Sequence, residues 1–156
     1  MEKIQDYWVE PFLTLIELCK IKPNESIIVL TETRSRELNV IILEQAIKKI
    51  GLEFNKIEIP SKPYLIDPII KSTGSSNILD GNNLYIKKLK ESDIIFDLTK
   101  EGLMHSKQTK EILSSGTRIM NISDEHPEIL SRLKPDIDLK DRVKEAVSQC
   151  RSLSIM

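Results

Sequence analysis

Motifs that define the common metal and nucleotide sites are missing from this chain. It has only two cysteines and two histidines, with no cysteine pair at zinc spacing and no His-Glu-x-x-His motif. No glycine-rich phosphate loop follows a predicted strand, and no G-x-S-x-G elbow occurs. The sequence therefore excludes the motif-defined zinc sites, phosphate-binding loops and α/β-hydrolase nucleophiles.

A charge excess and a membrane-spanning segment are missing as well. Lysine and arginine number 23 against 24 aspartates and glutamates, so there is no electrostatic signal for nucleic acid or an anionic membrane. No apolar run approaches the length of a membrane span, and the N-terminus lacks the apolar region of a signal peptide. We expect a cytoplasmic protein without nucleic-acid or membrane partners, in which Cys19 and Cys150 are buried free thiols.

An apolar fraction of 40% in 156 residues is enough for one domain with a single core. Apolar runs and alternating stretches predict strands at 26–30, 54–59, 93–98 and 117–122. Helical periodicity and helix-start signals predict helices at 3–20, 35–50, 83–90 and 107–114, from Pro127, and from about Leu139 to the end. Alternating strands and helices are typical of a parallel α/β sheet.

The four predicted strands differ in polarity, and this difference predicts their order. The first and third are apolar throughout, as expected of central strands covered on both faces, whereas the second and fourth carry polar residues typical of edges. With right-handed crossovers, we predict a Rossmann-like three-layer αβα domain with a four-stranded parallel sheet in the order 2-1-3-4. Ligands of such sheets bind beyond the carboxyl ends of the strands at the switch point, here between strands one and three.

Two loops meet at this switch point: TETRSR at 31–36 and LTKEGLMHS at 98–106. In the first loop, Thr33 and Ser35 are predicted to cap the following helix. Arg34 and Arg36 are placed to receive a substrate carboxylate, although a charged loop that is simply solvated is the simpler explanation.

The second loop carries His105, whose side-chain type ordinarily titrates between about pH 5 and 8 and suits a general base. The competing interpretation is that His105 merely precedes a helix capped by Ser106. His105 and His126, with Asp97 or Asp124, contain the residue types of a two-histidine, one-carboxylate iron site. Polarity at a helix start is the simpler explanation of His126.

Four segments resemble the N-terminal half of the 2,5-dihydroxypyridine 5,6-dioxygenases, which are themselves similar in sequence to aminopeptidase T (leucyl aminopeptidase)-like metallopeptidases. The segments are FLTLIELCKIKPNESIIVLTET, DLTKEGLMHSKQTKEIL, GTRIMNISDEHPEILSRLKP and DLKDRV. The most specific stretch is DLTKEGLMHS, and the resemblance covers nearly the whole chain.

This resemblance implies an α/β domain at 1–137 and a C-terminal helix at 138–156 that links it to an absent metal-binding domain. The dioxygenases open a dihydroxypyridine ring with O₂ and a mononuclear non-haem Fe(II), and the peptidases use a metal pair. In both, the ligands lie in the C-terminal domain, so no cofactor is expected in this chain. The resemblance also places Met104 and His105 against the substrate, with His105 as the candidate base.

The candidate site therefore comprises His105 as the catalytic residue and Met104, Thr31, Thr33 and Arg34 as substrate-binding residues. Two classes of function remain open. One is the substrate-side domain of a ring-cleaving oxygenase, inactive alone, with a peptidase acting on a peptide-like substrate as its variant. The other is a non-catalytic binding or assembly module. Residues 60–82 are expected to form a lid or a homo-oligomer contact, with a short helix around 66–71.

Overall fold

A computed structural model describes residues 4–62, 74–122, 124–132 and 138–149. Within these residues, the chain forms one sheet of four strands, all parallel, in the order β2-β1-β3-β4. The strands are β1 (Ile27–Glu32), β2 (Asn55–Ile59), β3 (Ile94–Asp97) and β4 (Arg118–Asn121). The predicted fold class and strand order are confirmed.

The polarity of the strands explains their order. All residues of β1 and β3 are buried, whereas most of β2 is exposed and β4 is half-buried. Alternate side chains of β1 enter different cores, with Ile27 and Val29 on one face and Ile28 and Leu30 on the other. Such a strand needs apolar residues at every position, which is the pattern that distinguished it in the sequence.

Helices cover both faces of the sheet. They are α1 (Val9–Leu18), α2 (Glu37–Lys49), α3 (Asn83–Lys90), α4 (Thr109–Ser114), α5 (Pro127–Arg132) and α6 (Leu139–Gln149). The helix predicted for 3–20 is present as α1 but is shorter than predicted, because a 3₁₀ turn at Asp6–Trp8 precedes it. Pro11 lies in the first turn of α1, where its missing N–H removes no helical hydrogen bond.

Two cores flank the sheet. The first includes Phe12 of α1 and Leu43 of α2, and the second includes Leu89 of α3 and Ile112 of α4. Ile78 and Leu79 are completely buried in the second core. The described part of the 60–82 segment therefore belongs partly to the core, while the helix predicted around 66–71 lies outside the described residues.

The apolar side chains of α6 make few contacts with the described part of the domain. Val143 and Val147 are 50% and 67% exposed, so the role of 138–156 as a linker stays a prediction. None of the described helices is both long and apolar enough to span a bilayer. Cys19 is a half-buried free thiol whose pKa is raised by burial, and Cys150 lies outside the described residues.

Candidate functional site

The first switch-point loop is shorter than predicted, because β1 continues through Thr31 and Glu32. Thr31 is 1% exposed, and its hydroxyl donates a long hydrogen bond of 3.5 Å to the carbonyl oxygen of Ile57 in β2. The position of Thr31 in a loop is therefore a wrong prediction. Its contact with a substrate stays a prediction that the burial of its side chain does not favour.

A buried carboxylate occupies the switch point itself. Glu32 is 2% exposed, and its Oε1 accepts the backbone N–H of Lys100 at 2.7 Å. Its Oε2 accepts the hydroxyl of Ser61 at 2.6 Å. One side chain thus joins the loops that follow β1, β2 and β3. Glu32 was not among the predicted site residues, although a glutamate at the end of an apolar strand was the available signal.

The hydroxyl groups of the first loop do not cap α2, because one bonds to the segment after β2 and the other to the end of β1. The Thr33 hydroxyl oxygen accepts the backbone N–H of Ser61 at 3.0 Å, and the Ser35 hydroxyl oxygen accepts that of Glu32 at 2.8 Å. The helix begins at Glu37 after Arg36, which makes no side-chain cap bond. The predicted caps at Thr33 and Ser35 are therefore wrong.

The two arginines of this loop have different surroundings. Arg34 is exposed, and its backbone N–H donates to the Ser61 hydroxyl at 3.1 Å. Arg36 donates its backbone N–H to a carboxylate oxygen of Asp124 and its Nε–H to the Asp124 carbonyl, at 3.0 and 2.9 Å. Burial raises the pKa of Asp124, and these contacts with Arg36 oppose the shift. Arg36 is therefore committed to the loop after β4.

Asp97 organises the second switch-point loop. The side chain is fully buried, and its Oδ1 accepts the backbone N–H and the hydroxyl of Thr99 at 3.0 and 2.7 Å. Its Oδ2 accepts the backbone N–H of Leu103 at 2.6 Å and the amide of Asn121 at 2.7 Å. Burial raises the pKa of Asp97, and these hydrogen bonds oppose that rise. One carboxylate thus fixes both ends of the turn at 99–103.

Gly102 allows this turn to pack against β4. Its φ is +72°, in the left-handed region, and a Cβ built there would lie 2.5 Å from Nδ2 of Asn121. A side chain at 102 would therefore displace the amide that bonds to Asp97.

The loop presents Met104 and His105 at the surface. Met104 is 61% exposed, and His105 is also exposed. The His105 backbone N–H donates to the carbonyl oxygen of Gly74 at 2.5 Å, and the ring lies so near that a Cβ built on Gly74 would be 3.1 Å from its Cδ2. The described contacts of His105 thus lie on the Gly74 side of the loop, and none of them joins it to Thr31 or Thr33.

The competing interpretation, in which His105 merely precedes a helix capped by Ser106, does not match the observed start of α4. The helix α4 begins at Thr109 after Gln108, not after Ser106, and no side chain caps it. The hydroxyl of Ser106 instead donates to the carbonyl oxygen of Ser76 at 2.5 Å. The predicted capping role of Ser106 is therefore wrong.

An open groove of about 450 Å³ lies between this loop and α4. Met104 and Leu113 contribute apolar surface, since Leu113 is 49% exposed, and Lys110 contributes a positive charge. His105 lines the same groove. The arrangement offers a planar ring an apolar wall, a cation and an imidazole within one surface depression.

His126 lies in a different environment. Its ring makes an edge contact with Trp8, with 4.9 Å between ring centroids, and its Nδ1 accepts the backbone N–H of Glu128 at the start of α5. These contacts favour the simpler explanation of His126 as a helix-start residue.

A metal site is not formed by the described residues. No group of three His, Cys, Asp or Glu side chains in them is placed to hold an ion. The oxygens of Asp97 already accept four hydrogen bonds, and His126 contacts Trp8. The part of the chain that the structure describes therefore does not fit the two-histidine iron site considered above.

Comparisons with known proteins agree with this architecture. The sequence profile of the family described as 2,5-dihydroxypyridine 5,6-dioxygenase matches residues 7–156. A 2,5-dihydroxypyridine 5,6-dioxygenase from Pseudomonas putida KT2440 is 28% identical over 149 residues, which is 92% of this chain and 42% of that protein.

A solved structure of a 2,5-dihydroxypyridine dioxygenase from the same organism superposes with a TM-score of 0.78 at 25% identity. The match covers 96% of this chain and 44% of that chain. The sequence thus spans less than half the length of the relatives that it matches.

Proposed function

The chain belongs to the 2,5-dihydroxypyridine 5,6-dioxygenase family, and from this premise we propose that it forms the N-terminal, substrate-side domain of a ring-cleaving non-haem Fe(II) enzyme and is inactive alone. The family match over residues 7–156 is the observation that carries the proposal. The described residues do not fit a metal site, so the Fe(II) expected from the family would be held by other residues.

His105 is proposed as the general base of this enzyme. The loop that carries it is fixed by the bonds to Asp97, and its backbone N–H is bonded to Gly74. Its side chain is exposed beside an open groove. A neutral imidazole in this position would accept a proton from a ring hydroxyl group of the substrate, which leaves a more electron-rich ring. A fixed base also loses little conformational freedom when the substrate binds.

Substrate binding is proposed for Met104, Thr33, Arg34 and Thr31. Met104 offers a polarizable side chain to the face of an aromatic ring. Thr33 is exposed, and its hydroxyl can still donate a hydrogen bond after accepting that of Ser61. Arg34 is exposed and would attract an anionic oxygen of the substrate. Support for Thr31 is weakest, because its side chain is buried.

The test is ring cleavage by the full-length protein, meaning this chain together with the metal-binding domain that the proposal requires. The assay supplies Fe(II), O₂ and 2,5-dihydroxypyridine, and follows oxygen uptake together with loss of the ring absorbance. We expect turnover by the full-length product and none by residues 1–156 alone. Absence of turnover in both, with hydrolysis of amino-acid amides, would favour the metallopeptidase alternative. Absence of both activities would favour a non-catalytic module.

The role of His105 is tested in the active full-length protein. His105→Ala is expected to lower kcat by about 10²-fold or more, the usual scale for an acid–base group. The exposed side chain also predicts partial rescue by added imidazole. Lys107→Ala is the control, because Lys107 is an exposed neighbour in the same loop. An unchanged kcat in His105→Ala would overturn the assignment. Homo-oligomer formation and cytoplasmic location stay predictions.

A further inference from the structure

A glycine lies directly beneath the proposed base. Gly74 has a φ of +73°, and a Cβ built on it would lie 3.1 Å from Cδ2 of the His105 ring and 3.2 Å from Cβ of Met104. Both distances are shorter than nine in ten contacts of real Cβ atoms. A residue with a side chain at position 74 therefore forces a neighbour to move.

The backbone around Gly74 limits which neighbour can move. The His105 N–H donates to the Gly74 carbonyl oxygen at 2.5 Å, and the Ser76 N–H donates to that of Gly102 at 2.8 Å. The Ser106 hydroxyl adds a bond of 2.5 Å to the Ser76 carbonyl oxygen. The segments 74–76 and 102–106 are thus bonded to each other at three points.

Both bonded segments are also anchored to the rest of the domain. Beyond 74–76, Ile78 and Leu79 are completely buried in the second core. On the other side, Asp97 holds Leu103. The Cβ of Met104 moves only with its backbone, whereas the His105 ring moves by rotation about its side-chain bonds. The contact with Cδ2 is therefore relieved by rotation of the imidazole, whereas the contact with the Met104 Cβ needs a backbone shift of a few tenths of an ångström.

We infer that Gly74 is a positioning residue, which sets the orientation of the His105 imidazole by leaving space for its ring against the backbone. This inference rests on the proposed function, because it assigns Gly74 a role through the proposed base. Displacements well under 1 Å at a reacting group reduce rate measurably, since a misplacement of about 1 Å costs up to about 10²-fold. We expect Gly74→Ala to lower kcat by about 10-fold.

A purely conformational role for Gly74 is the alternative, because glycine tolerates a positive φ better than other residues. Gly81 separates the two explanations. It lies in the same segment with a φ of +77°, and a Cβ built there meets nothing within 4 Å. Gly74→Ala and Gly81→Ala therefore both place alanine at a similar positive φ, and only the first introduces a contact with His105.

The experiment measures kcat, KM and Tm of both variants in the full-length enzyme. It also records the imidazole NMR signals of residues 1–156, which contain only two histidines. For Gly74→Ala we expect the 10-fold loss of kcat with KM changed less than twofold, and shifted His105 signals. For Gly81→Ala we expect a Tm no lower than that of Gly74→Ala, because it adds no contact, together with unchanged kcat and His105 signals. His126 signals stay in place in both and serve as the internal reference.

Equal effects of the two variants on kcat, or unmoved His105 signals in Gly74→Ala, would overturn the inference. If the wild-type full-length protein shows no ring cleavage, the proposed function fails, and the His105 signals still decide whether Gly74 positions the ring. If Gly74→Ala does not fold, NOE contacts in wild-type residues 1–156 take its place. The His105 Hδ2 proton should then show an NOE to the Gly74 Hα protons, and the absence of this NOE would refute the inference.

Discussion

Replacement of Asp97 by asparagine tests whether one buried carboxylate holds the loop that carries His105. The amide substitutes an NH₂ group for one oxygen, and both oxygens of Asp97 accept two hydrogen bonds. At the Oδ2 position, the NH₂ group would face the donors of Leu103 and Asn121, and both would lose their acceptor. At the Oδ1 position, the Thr99 hydroxyl can rotate and accept, so that only the Thr99 backbone N–H loses its acceptor.

The orientation with the NH₂ group at the Oδ1 position leaves fewer donors without an acceptor, so it sets the expected loss of unfolding free energy. One buried N–H group without an acceptor costs about 1–3 kcal/mol of unfolding free energy. For a chain of 156 residues, each kcal/mol corresponds to a Tm shift of about 2–4 °C. We therefore expect Asp97→Asn to lower Tm by roughly 2–12 °C at neutral pH.

Urea unfolding followed by circular dichroism measures the loss of unfolding free energy, provided that the m-value is unchanged. Asp80→Asn is the control. The Asp80 carboxylate lies near the surface and accepts one hydrogen bond from the side-chain amide of Gln108, which an asparagine oxygen can also accept. This bond lowers the pKa of Asp80, which also lies 4.0 Å from the Lys107 ammonium. We therefore expect a loss of unfolding free energy, but one much smaller than that of Asp97→Asn, because the pair is near the surface. An Asp97→Asn variant as stable as the wild type would refute the role of Asp97 as the organiser of the loop.

Three further predictions concern other parts of the domain. Gly102→Ala should lose about 1–3 kcal/mol more unfolding free energy than Gly116→Ala, because only the first meets Asn121 while both have a positive φ; equal losses in urea titrations would contradict this. Two hydrogen bonds from Ser26 lower the pKa of Asp93, so its stabilisation should be present above about pH 4 and disappear as the pH falls through the folded-state pKa. The stability difference between wild type and Asp93→Asn should therefore shrink in acid, and a pH-independent difference would argue against it. For residues 60–82, hydrogen exchange should slow on ligand binding or oligomerisation if they form a lid or subunit contact, and uniformly rapid, unresponsive exchange would count against both.

The strand order was predictable because it depends on a property that each strand carries by itself. Central strands are covered on both faces, so the continuous apolar run ending at Leu30 indicated its position without knowledge of its neighbours. The mixed polarity of Asn55–Ile59 likewise indicated an edge. The start of α5 at Pro127 and the two bounds of α3 were predictable from local signals of the same kind.

The hydrogen bonds of the site were less predictable, because they join residues far apart in the chain. Thr33 and Ser106 have the residue types of helix caps, yet their hydroxyls bond to Ser61 and Ser76. The local signal was genuine, but a tertiary partner competed with the helix end. Glu32 could have been noticed as a charge in an apolar strand, whereas its partners Ser61 and Lys100 become neighbours only when three strands assemble.

The loop at 97–106 is held largely by hydrogen bonds from main-chain groups. Its backbone conformation therefore depends little on which side chains it carries. The groups that donate to Asp97, Glu32 and Gly74 include the backbone N–H of Thr99, Lys100, Leu103 and His105. Every residue except proline supplies the same donor. The side chain at 104, which lines the groove, is consequently open to change on an unchanged scaffold. A library randomised at position 104, with His105 retained, would vary the apolar wall of the groove at little risk to folding, which makes the loop a suitable starting point for directed evolution.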